Sequence, residues 1–227
     1  MSKSWQSDTD LFELMKSELF SAVVGDIMDQ LGFQNQFLPP QIQPLRDDMV
    51  VAGRAMTVLE ADIDENMPKQ LSDKPFGLML EALDDLKQNE VYICTGASPD
   101  YALWGELMST RALKLGAVGA VVNGFSRDTN GILDLSFPTF SYGRYAQDQA
   151  PRGKVVDFRS PIQMNGANVT SGDIVFGDLD GVCIVPKQAE EEIIIKSLEK
   201  ARGEKLVQKA IEGGMSACDA FDKYGIM

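Results

Sequence analysis

Three charged residues stand at a spacing that could support metal and anion chemistry. Glu106 is followed, after twenty residues, by the adjacent pair Arg127 and Asp128. The residues between them predict a helix that stops at Gly116 and then a buried strand over 117–122. A helix start and the carboxyl end of a strand can meet in space, because ligands of α/β sheets collect at that edge. Two carboxylates, one guanidinium and free backbone N–H groups would then share one cleft.

Each of these residues also has an ordinary interpretation. An arginine fork matches a carboxylate with two parallel hydrogen bonds, and a neighbouring aspartate can ligate a hard cation. Arg127 and Asp128 could equally be a surface charge pair in a turn, which stabilises a fold very little. Glu106 is favoured in the first turn of a helix by the macrodipole alone, although the same helix start offers the N–H groups of Leu107 and Met108 to an anion.

The sequence contains no histidine. Catalytic triads, Cys-His pairs and imidazole acids or bases are therefore excluded, together with most zinc and copper sites. A metal ion would have to be held by oxygen ligands, which favours Mg²⁺ or Mn²⁺.

The composition is that of an acidic globular protein. A chain of 227 residues with a net charge of −13 and a pI near 4.4 argues against binding to nucleic acid or to an anionic membrane. No apolar signal segment opens the sequence, and no apolar run is long enough to span a bilayer, so we expect a cytoplasmic protein. Cys94 and Cys183 lie in apolar runs and are expected to be buried rather than to ligate a metal.

The apolar pattern predicts one mixed α/β domain over 1–227, with a core at about 20–212 and a helical tail at 213–227. A strand–helix–strand pattern over 91–122 predicts a parallel crossover, whereas 138–186 is rich in strands without helices. A loop rich in proline is expected over 34–48. Helices are predicted at 8–18 (capped by Asp or Thr), 19–31, 76–87, 103–115, 188–211 (with a weak point at Gly203) and within 216–227. Strands are predicted at 50–59, 91–95, 117–122, 138–142 and 155–158 and as a pair over 173–186 joined by a turn with Asp178 and Asp180.

Four segments of the chain resemble one known family. The most specific is Gly105-Glu-Leu-Met-Ser-Thr-Arg-Ala-Leu-Lys-Leu-Gly-Ala-Val-Gly-Ala-Val-Val-Asn-Gly-Phe-Ser-Arg-Asp128, and three others support it. Together they resemble the RraA-like family, which includes class II 4-hydroxy-4-methyl-2-oxoglutarate/4-carboxy-4-hydroxy-2-oxoadipate aldolases and the regulator of ribonuclease activity A. The resemblance implies the swivelling β/β/α fold of that family. The supporting segments are Val24-Gly-Asp-Ile-Met-Asp-Gln-Leu-Gly32, Val51-Ala-Gly-Arg-Ala-Met-Thr-Val58 and Gly172-Asp-Ile-Val-Phe-Gly-Asp-Leu-Asp-Gly-Val-Cys-Ile-Val-Pro186.

The resemblance also implies roles for individual residues. Arg127 would bind the substrate carboxylate and stabilise an enolate, and Asp128 would bind Mg²⁺ or Mn²⁺. Gly105, Leu107 and Met108 would bind the same carboxylate, the latter two through their backbone N–H groups. The family places an Asp where this chain has Glu106, whose carboxylate would orient a water that carries the proton. A further acidic residue would come from the C-terminal helix of a neighbouring subunit, and Glu204 is the candidate.

Two functions follow from the resemblance. The first is a metal-dependent lyase that cleaves a 4-hydroxy-2-oxo acid to pyruvate or decarboxylates oxaloacetate, in a homotrimer or a dimer of trimers. The second is a regulatory binding protein whose acidic surface docks on a basic segment of a partner. The extra methylene of Glu106 is compatible with a different substrate, with a compensating backbone or with an inactive site, because catalysis is sensitive to such displacements.

Overall fold

The structure is a computed structural model that describes residues 3–226. Residues 1, 2 and 227 of the predicted domain lie outside the described residues, and the single-domain boundary stays a prediction. The helices are α1 (Asp8–Glu18), α2 (Ser21–Gln30), α3 (Lys69–Ser72), α4 (Met79–Asp84), α5 (Glu106–Leu115), α6 (Thr129–Asp134), α7 (Glu190–Glu212, after a 3₁₀ turn at Lys187–Ala189) and α8 (Ala217–Tyr224). The strands are β1 (Gln43–Pro44), β2 (Val51–Asp62), β3 (Glu90–Thr95), β4 (Ala102–Trp104), β5 (Gly119–Val122), β6 (Phe125–Ser126), β7 (Thr139–Ser141), β8 (Gly153–Phe158), β9 (Ile162–Met164), β10 (Ala167–Val169), β11 (Ile174–Asp178) and β12 (Gly181–Val185).

The main sheet has a parallel centre with antiparallel flanks. Its order is β1-β7-β5-β3-β2-β11-β12, and β8 also pairs with β2. β2, β3, β5 and β7 run parallel, and α5 lies in the connection from β3 to β5, as the predicted crossover requires. β11, β12 and β8 are antiparallel additions. The predicted mixed α/β fold is confirmed.

Both faces of the sheet are covered by apolar side chains. Along β12, Val182 and Ile184 belong to one buried cluster, whereas Cys183 and Val185 belong to the other, as the two-residue period of a strand requires. The second cluster is closed by α1, α2 and α7, with Leu11 of α1 fully buried. The packed body therefore includes residues before position 20, and the expected burial of Cys94 and Cys183 is confirmed.

Two helix predictions around the cleft need correction. The helix expected over 103–115 begins only at Glu106, because Ala102–Trp104 is fully buried and forms β4, which pairs with β6. The helix expected over 76–87 is reduced to α4, since Gly77 takes a φ of +62° and lies against the backbone of Val155. A short apolar run such as Ala102–Trp104 has no period that distinguishes a strand from a helix.

Smaller differences concern a helix cap, a turn and a glycine within a helix. Ser7, not an Asp or Thr, caps α1, because its hydroxyl accepts a hydrogen bond from the Asp10 N–H. Asp178 is more than a turn residue, since it accepts hydrogen bonds from the Ser21 N–H and hydroxyl at the start of α2, both at 2.6 Å. α7 runs through Gly203 without a break, and the missing side chain there makes room for Ile226.

A helix that crosses a bilayer needs about 20 consecutive, mostly apolar residues. No helix within residues 3–226 combines the length and the apolar character that crossing a membrane would need.

Candidate functional site

A cleft of about 450 Å³ lies where α5, β4 and the loop after β6 meet. The predicted Arg127 and Asp128 line it, together with Gly105, Leu107 and Met108. The other lining residues come from α4 and the segments around it, from β4, from α5 and from the loop before β8: Phe76, Met79, Leu80, Leu83, Asp84, Ala102, Leu103, Trp104, Arg111, Asp148 and Gln149.

Buried aromatic side chains hold the start of α5 in place. The Trp104 indole lies 4.8 Å from the Tyr92 ring and 6.1 Å from the Phe137 ring, measured between centroids. Its Nε1–H donates to the Ser109 hydroxyl at 2.7 Å, and that hydroxyl donates to the carbonyl of Gly105. The first turn of α5 is therefore tied to the core rather than free to fray.

The loop that carries Arg127 is tied to the same strand. The Arg127 N–H donates to the Trp104 carbonyl at 2.9 Å, which continues the parallel pairing of β4 with β6. One residue earlier, the buried Ser126 donates its backbone N–H to the Gly143 carbonyl, and its hydroxyl lies 3.1 Å from that of Ser141. The helix start and the charged loop are thus parts of one hydrogen-bonded unit.

Arg127 lies between two carboxylates. Its Nε is 3.6 Å from Oδ2 of Asp128, and its Nη1 is 3.2 Å from Oδ1 of Asp148. All three side chains are between a third and a half exposed, so a small anion can reach the guanidinium from solvent. Asp128 itself has a left-handed backbone with φ +54°, a conformation that is uncommon outside glycine and that concentrates at functional sites.

Gly105 allows the Asp128 carboxylate to approach the helix start. A Cβ atom at position 105 would lie 2.8 Å from Oδ2 of Asp128, closer than real Cβ atoms come. Gly105 also gives α5 no side-chain cap, and the N–H groups of the first turn, including those of Leu107 and Met108, have no partner inside the helix. The start of α5 therefore keeps donors for an anion beside the guanidinium.

Glu106 does not occupy the place expected for it. Its exposed carboxyl group lies against Gly131 in α6, where any Cβ atom would overlap it, and Glu106 is not among the residues that line the cleft. The carboxylates that the cleft does contain are those of Asp84, Asp128 and Asp148, and of these Asp128 and Asp148 lie beside Arg127. Glu106 thus stands at the start of a helix, as expected, but its carboxyl group does not face the cavity that Asp128 lines.

Glu204 lies on α7 in a separate groove with Phe20 and Ile211, and it is 3.8 Å from Lys200. It does not line the cleft of its own chain. A role at the cleft would require a second copy of the chain, so the cross-subunit assignment stays a prediction.

Sequence reasoning missed Asp148. It is placed by a long-range contact, because residues 147–148 run beside β4 and the Ala102 N–H donates to the Gln147 carbonyl at 2.8 Å. No local pattern marks Asp148, since it stands in an irregular polar loop twenty residues after Asp128.

A second missed feature is a buried acid beside the cleft lining. Gln149 lines the cleft and donates its side-chain N–H to Glu60, which is only 2% exposed. Burial raises the pKa of Glu60 to about 8, although hydrogen bonds from Cys94 and Gln149 oppose this shift. The other carboxyl oxygen of Glu60 and the hydroxyl of Tyr92 are buried without a hydrogen-bond partner. At neutral pH the Glu60 carboxyl is therefore mostly protonated.

The charged residues of the cleft fit one class of metal ion. Within residues 3–226, no group of three His, Cys, Asp or Glu side chains could enclose an ion. Mg²⁺ does not need such a cage, because it usually keeps several waters and is held by one or two carboxylates together with its substrate. The half-exposed carboxylate of Asp128, beside a position kept free by Gly105, fits that mode.

Several known proteins are similar to this chain in sequence or in fold. Protein DlpA of Legionella pneumophila is 27% identical over 205 residues, which are 90% of this chain and 32% of DlpA, so the chain spans about a third of that relative. A Halalkalibacterium halodurans protein, provisionally named a 4-hydroxy-4-methyl-2-oxoglutarate aldolase, is 28% identical over 87% of each chain. The crystal structure of Streptomyces coelicolor RraAS2, described as an unusual member of the RNase ES inhibitor RraA family, shares the fold with a TM-score of 0.77 at 20% identity, over 90% of this chain and 99% of that one.

The sequence model of the RraA-like family, described as Aldolase/RraA, matches residues 21–184. This match covers most of the main sheet, α2, the whole of α5 and the loop with Arg127 and Asp128. The chain belongs to the RraA-like family.

Proposed function

We propose that this protein is a divalent-metal-dependent lyase that releases pyruvate from a 4-hydroxy-2-oxo acid, with oxaloacetate decarboxylation as a related activity. The observation that carries the proposal is the position of Arg127, which faces the cleft beside the uncapped start of α5 and next to Asp128. A guanidinium and helix N–H groups bind a carboxylate, and an adjacent aspartate can hold a hard cation.

In this proposal the residues of the chain bind and orient the 2-oxo acid. Arg127 pairs with the substrate carboxylate, and the N–H groups of Leu107 and Met108 donate to the same group. Asp128 would hold Mg²⁺ or Mn²⁺, which supplies an electrophile for the 2-oxo group and so stabilises the charge that develops during cleavage. Arg127 adds positive charge at the same place, where fixed donors lower the barrier most.

The proton balance needs an acid or base other than histidine, which the chain lacks. When the bond between C3 and C4 breaks, the C4 hydroxyl loses its proton and C3 of the pyruvate enolate gains one. Two carboxylates are candidates for this role: Asp148, whose Oδ1 lies 3.2 Å from the Arg127 Nη1, and Glu106 at the start of α5, to which the family resemblance assigns it. A water oriented by either carboxylate could carry the proton.

The test is pyruvate release from oxaloacetate and from 4-hydroxy-4-methyl-2-oxoglutarate by the purified protein. We expect release that requires Mg²⁺ or Mn²⁺, stops with EDTA and is restored by excess metal. Full activity in metal-free buffer, or an unaffected Arg127→Ala protein, would contradict a metal lyase. Absence of pyruvate release under all these conditions would favour the other function considered, a regulatory protein that binds a basic segment through its acidic surface.

A further inference from the structure

The cleft combines its charged residues with an apolar wall. Met79, Leu80 and Leu83 of α4 line it, and Leu83 follows Met79 by four residues and Leu80 by three, the spacing that brings side chains to one side of a helix. Leu80 is 56% exposed, although large apolar side chains on a small helix usually turn inward. This wall borders the same cavity as Arg127, so an apolar group of a bound molecule can pack against it.

The charges around the cleft leave little capacity for a second anion. Its lining within residues 3–226 includes two guanidinium groups, those of Arg111 and Arg127, and no lysine. The Arg111 Nε donates to Oδ1 of Asp84 at 2.7 Å, and Arg127 lies beside Asp128 and Asp148, so both guanidinium groups already face carboxylates. The lining therefore has three aspartates against two arginines, one acidic residue in excess. A substrate with one carboxylate can pair with Arg127, but a second carboxylate would meet the apolar wall or the acidic side chains of the cleft.

We propose that the substrate is a monocarboxylic 4-hydroxy-2-oxo acid whose C4 carbon carries an apolar substituent packed against the α4 wall. This inference rests on the proposed function and names its substrate class. The reaction breaks the bond between C3 and C4. The C4 hydroxyl loses its proton and becomes the carbonyl of an apolar aldehyde or ketone, while C3 keeps the electron pair, takes up a proton and becomes the methyl group of pyruvate.

Binding can be measured separately from turnover with two 2-oxo acids that lack the 4-hydroxyl group and cannot undergo the cleavage. 4-Methyl-2-oxopentanoate and 2-oxoglutarate have tails of similar size, one branched and apolar and the other ending in a carboxylate. Isothermal calorimetry on the full chain with Mg²⁺ should give a Kd about tenfold lower for the apolar acid, as expected when a few methyl-sized groups leave water. Equal affinities or tighter binding of 2-oxoglutarate would overturn the inference.

A variant at the wall provides a second measurement. Leu80→Arg places a cation at an exposed position and should weaken binding of 4-methyl-2-oxopentanoate about tenfold while strengthening that of 2-oxoglutarate. Leu179→Arg is the matched control, because Leu179 is 54% exposed in the turn between β11 and β12 and does not line the cleft. Unchanged affinities in Leu80→Arg together with an altered oligomeric state would assign the wall to contact with a second copy and overturn the inference.

Failure of this inference differs from failure of the proposed function. If 2-oxoglutarate binds more tightly and diacid substrates release pyruvate in a manner that depends on Arg127, the lyase stands and the apolar substrate class is wrong. If neither 2-oxo acid binds, the proposed function and the proposed substrate class are both wrong. Preferential turnover of a 4-alkyl-4-hydroxy-2-oxo acid over 4-hydroxy-4-methyl-2-oxoglutarate, lost selectively in Leu80→Arg, supports both.

Discussion

The carboxyl group of Glu106 packs against Gly131 in the first turn of α6. The contact is possible only because residue 131 has no side chain, and it holds the longer glutamate away from the cleft that Asp128 faces. Where the aldolases resembled by this sequence use an aspartate, this chain has a longer acid and a glycine that accommodates it. The two positions are therefore expected to act as a pair.

Gly131→Ala tests this pairing. The new methyl group should displace the Glu106 carboxyl from its position on Gly131. If that carboxyl orients the water that carries the proton, kcat for pyruvate release should fall by roughly tenfold, because displacements on the ångström scale are costly in catalysis. Stability should not fall, since Glu106 is exposed and can move, and alanine is favoured over glycine inside a helix by about 0.5–1 kcal/mol. The control is Gly131→Ala in a Glu106→Asp background, where we expect little effect; an equal loss of kcat in both backgrounds would show that the pair is not coupled.

Gly105→Ala should weaken metal binding without removing a ligand. The added Cβ would lie 2.8 Å from Oδ2 of Asp128, so the carboxylate must move away from the start of α5. We expect the Kd for Mn²⁺, measured by calorimetry or electron paramagnetic resonance, to rise by about tenfold, in the range seen when the surroundings of a ligand are altered. Asp128→Asn shows how far the Kd rises when the ligand itself is lost. An unchanged Kd in Gly105→Ala would contradict the assignment of Asp128 as the metal ligand.

Arg127→Ala should lower kcat/KM for every 2-oxo acid substrate by about 10²–10³-fold, because a fixed donor to the reacting anion is lost. Arg127→Lys should recover only part of this loss, since an ammonium group cannot form the two parallel hydrogen bonds of the guanidinium. Arg46→Ala is the control, because Arg46 also pairs with an aspartate, Asp48, at an exposed site outside the cleft. Similar losses in the Arg46 and Arg127 variants would point to a general effect on the fold.

Glu60 should make stability depend on pH. Burial raises its pKa from the ordinary value of 4.5 to about 8, so between these pH values the folded chain holds a proton that the unfolded chain has released. The free energy of unfolding should therefore fall as pH rises through this window, by about 1.4 kcal/mol per pH unit from this group, and level off above pH 8. Tyr92 and Cys94 stay protonated there, because burial raises their pKa values as well.

Urea unfolding of Glu60→Gln at pH 6, 7 and 8 measures this dependence. We expect the variant to lose most of the fall in stability that the wild type shows, since glutamine does not ionise. Glu13→Gln, at an exposed position on α1, should leave the fall unchanged. A wild-type slope in Glu60→Gln would mean that another group releases the proton.

Local patterns in the sequence were sufficient for most of the elements that frame the cleft. The helix that ends at Gly116 and the following buried strand are present, and the start of α5 does meet the loop of Arg127 and Asp128. The short strand β4 was mistaken for part of a helix, because three apolar residues carry no decisive period. Its identity depends on pairing with β6, which lies twenty residues further along the chain.

Side-chain direction could not be predicted from the same patterns. Position 106 is at the start of a helix in the prediction and in the structure, yet the side of that helix its carboxyl occupies depends on Gly131, twenty-five residues away. Asp148 and Glu60 reach the cleft and its surroundings only through tertiary contacts with Ala102 and Gln149. Such contacts leave no trace in local composition, and the burial that raises the pKa of Glu60 exists only in the folded chain.

The pairing of β4 with β6 closes a ring in the chain. The backbone leaves the sheet edge at Trp104, passes through α5 and β5, and returns to the same place, where the Arg127 N–H meets the Trp104 carbonyl. The interval from Glu106 to Arg127 is therefore the length of chain that α5, β5, β6 and their turns occupy. The number of residues in this interval is set by the fold and not by a distance that the chemistry requires.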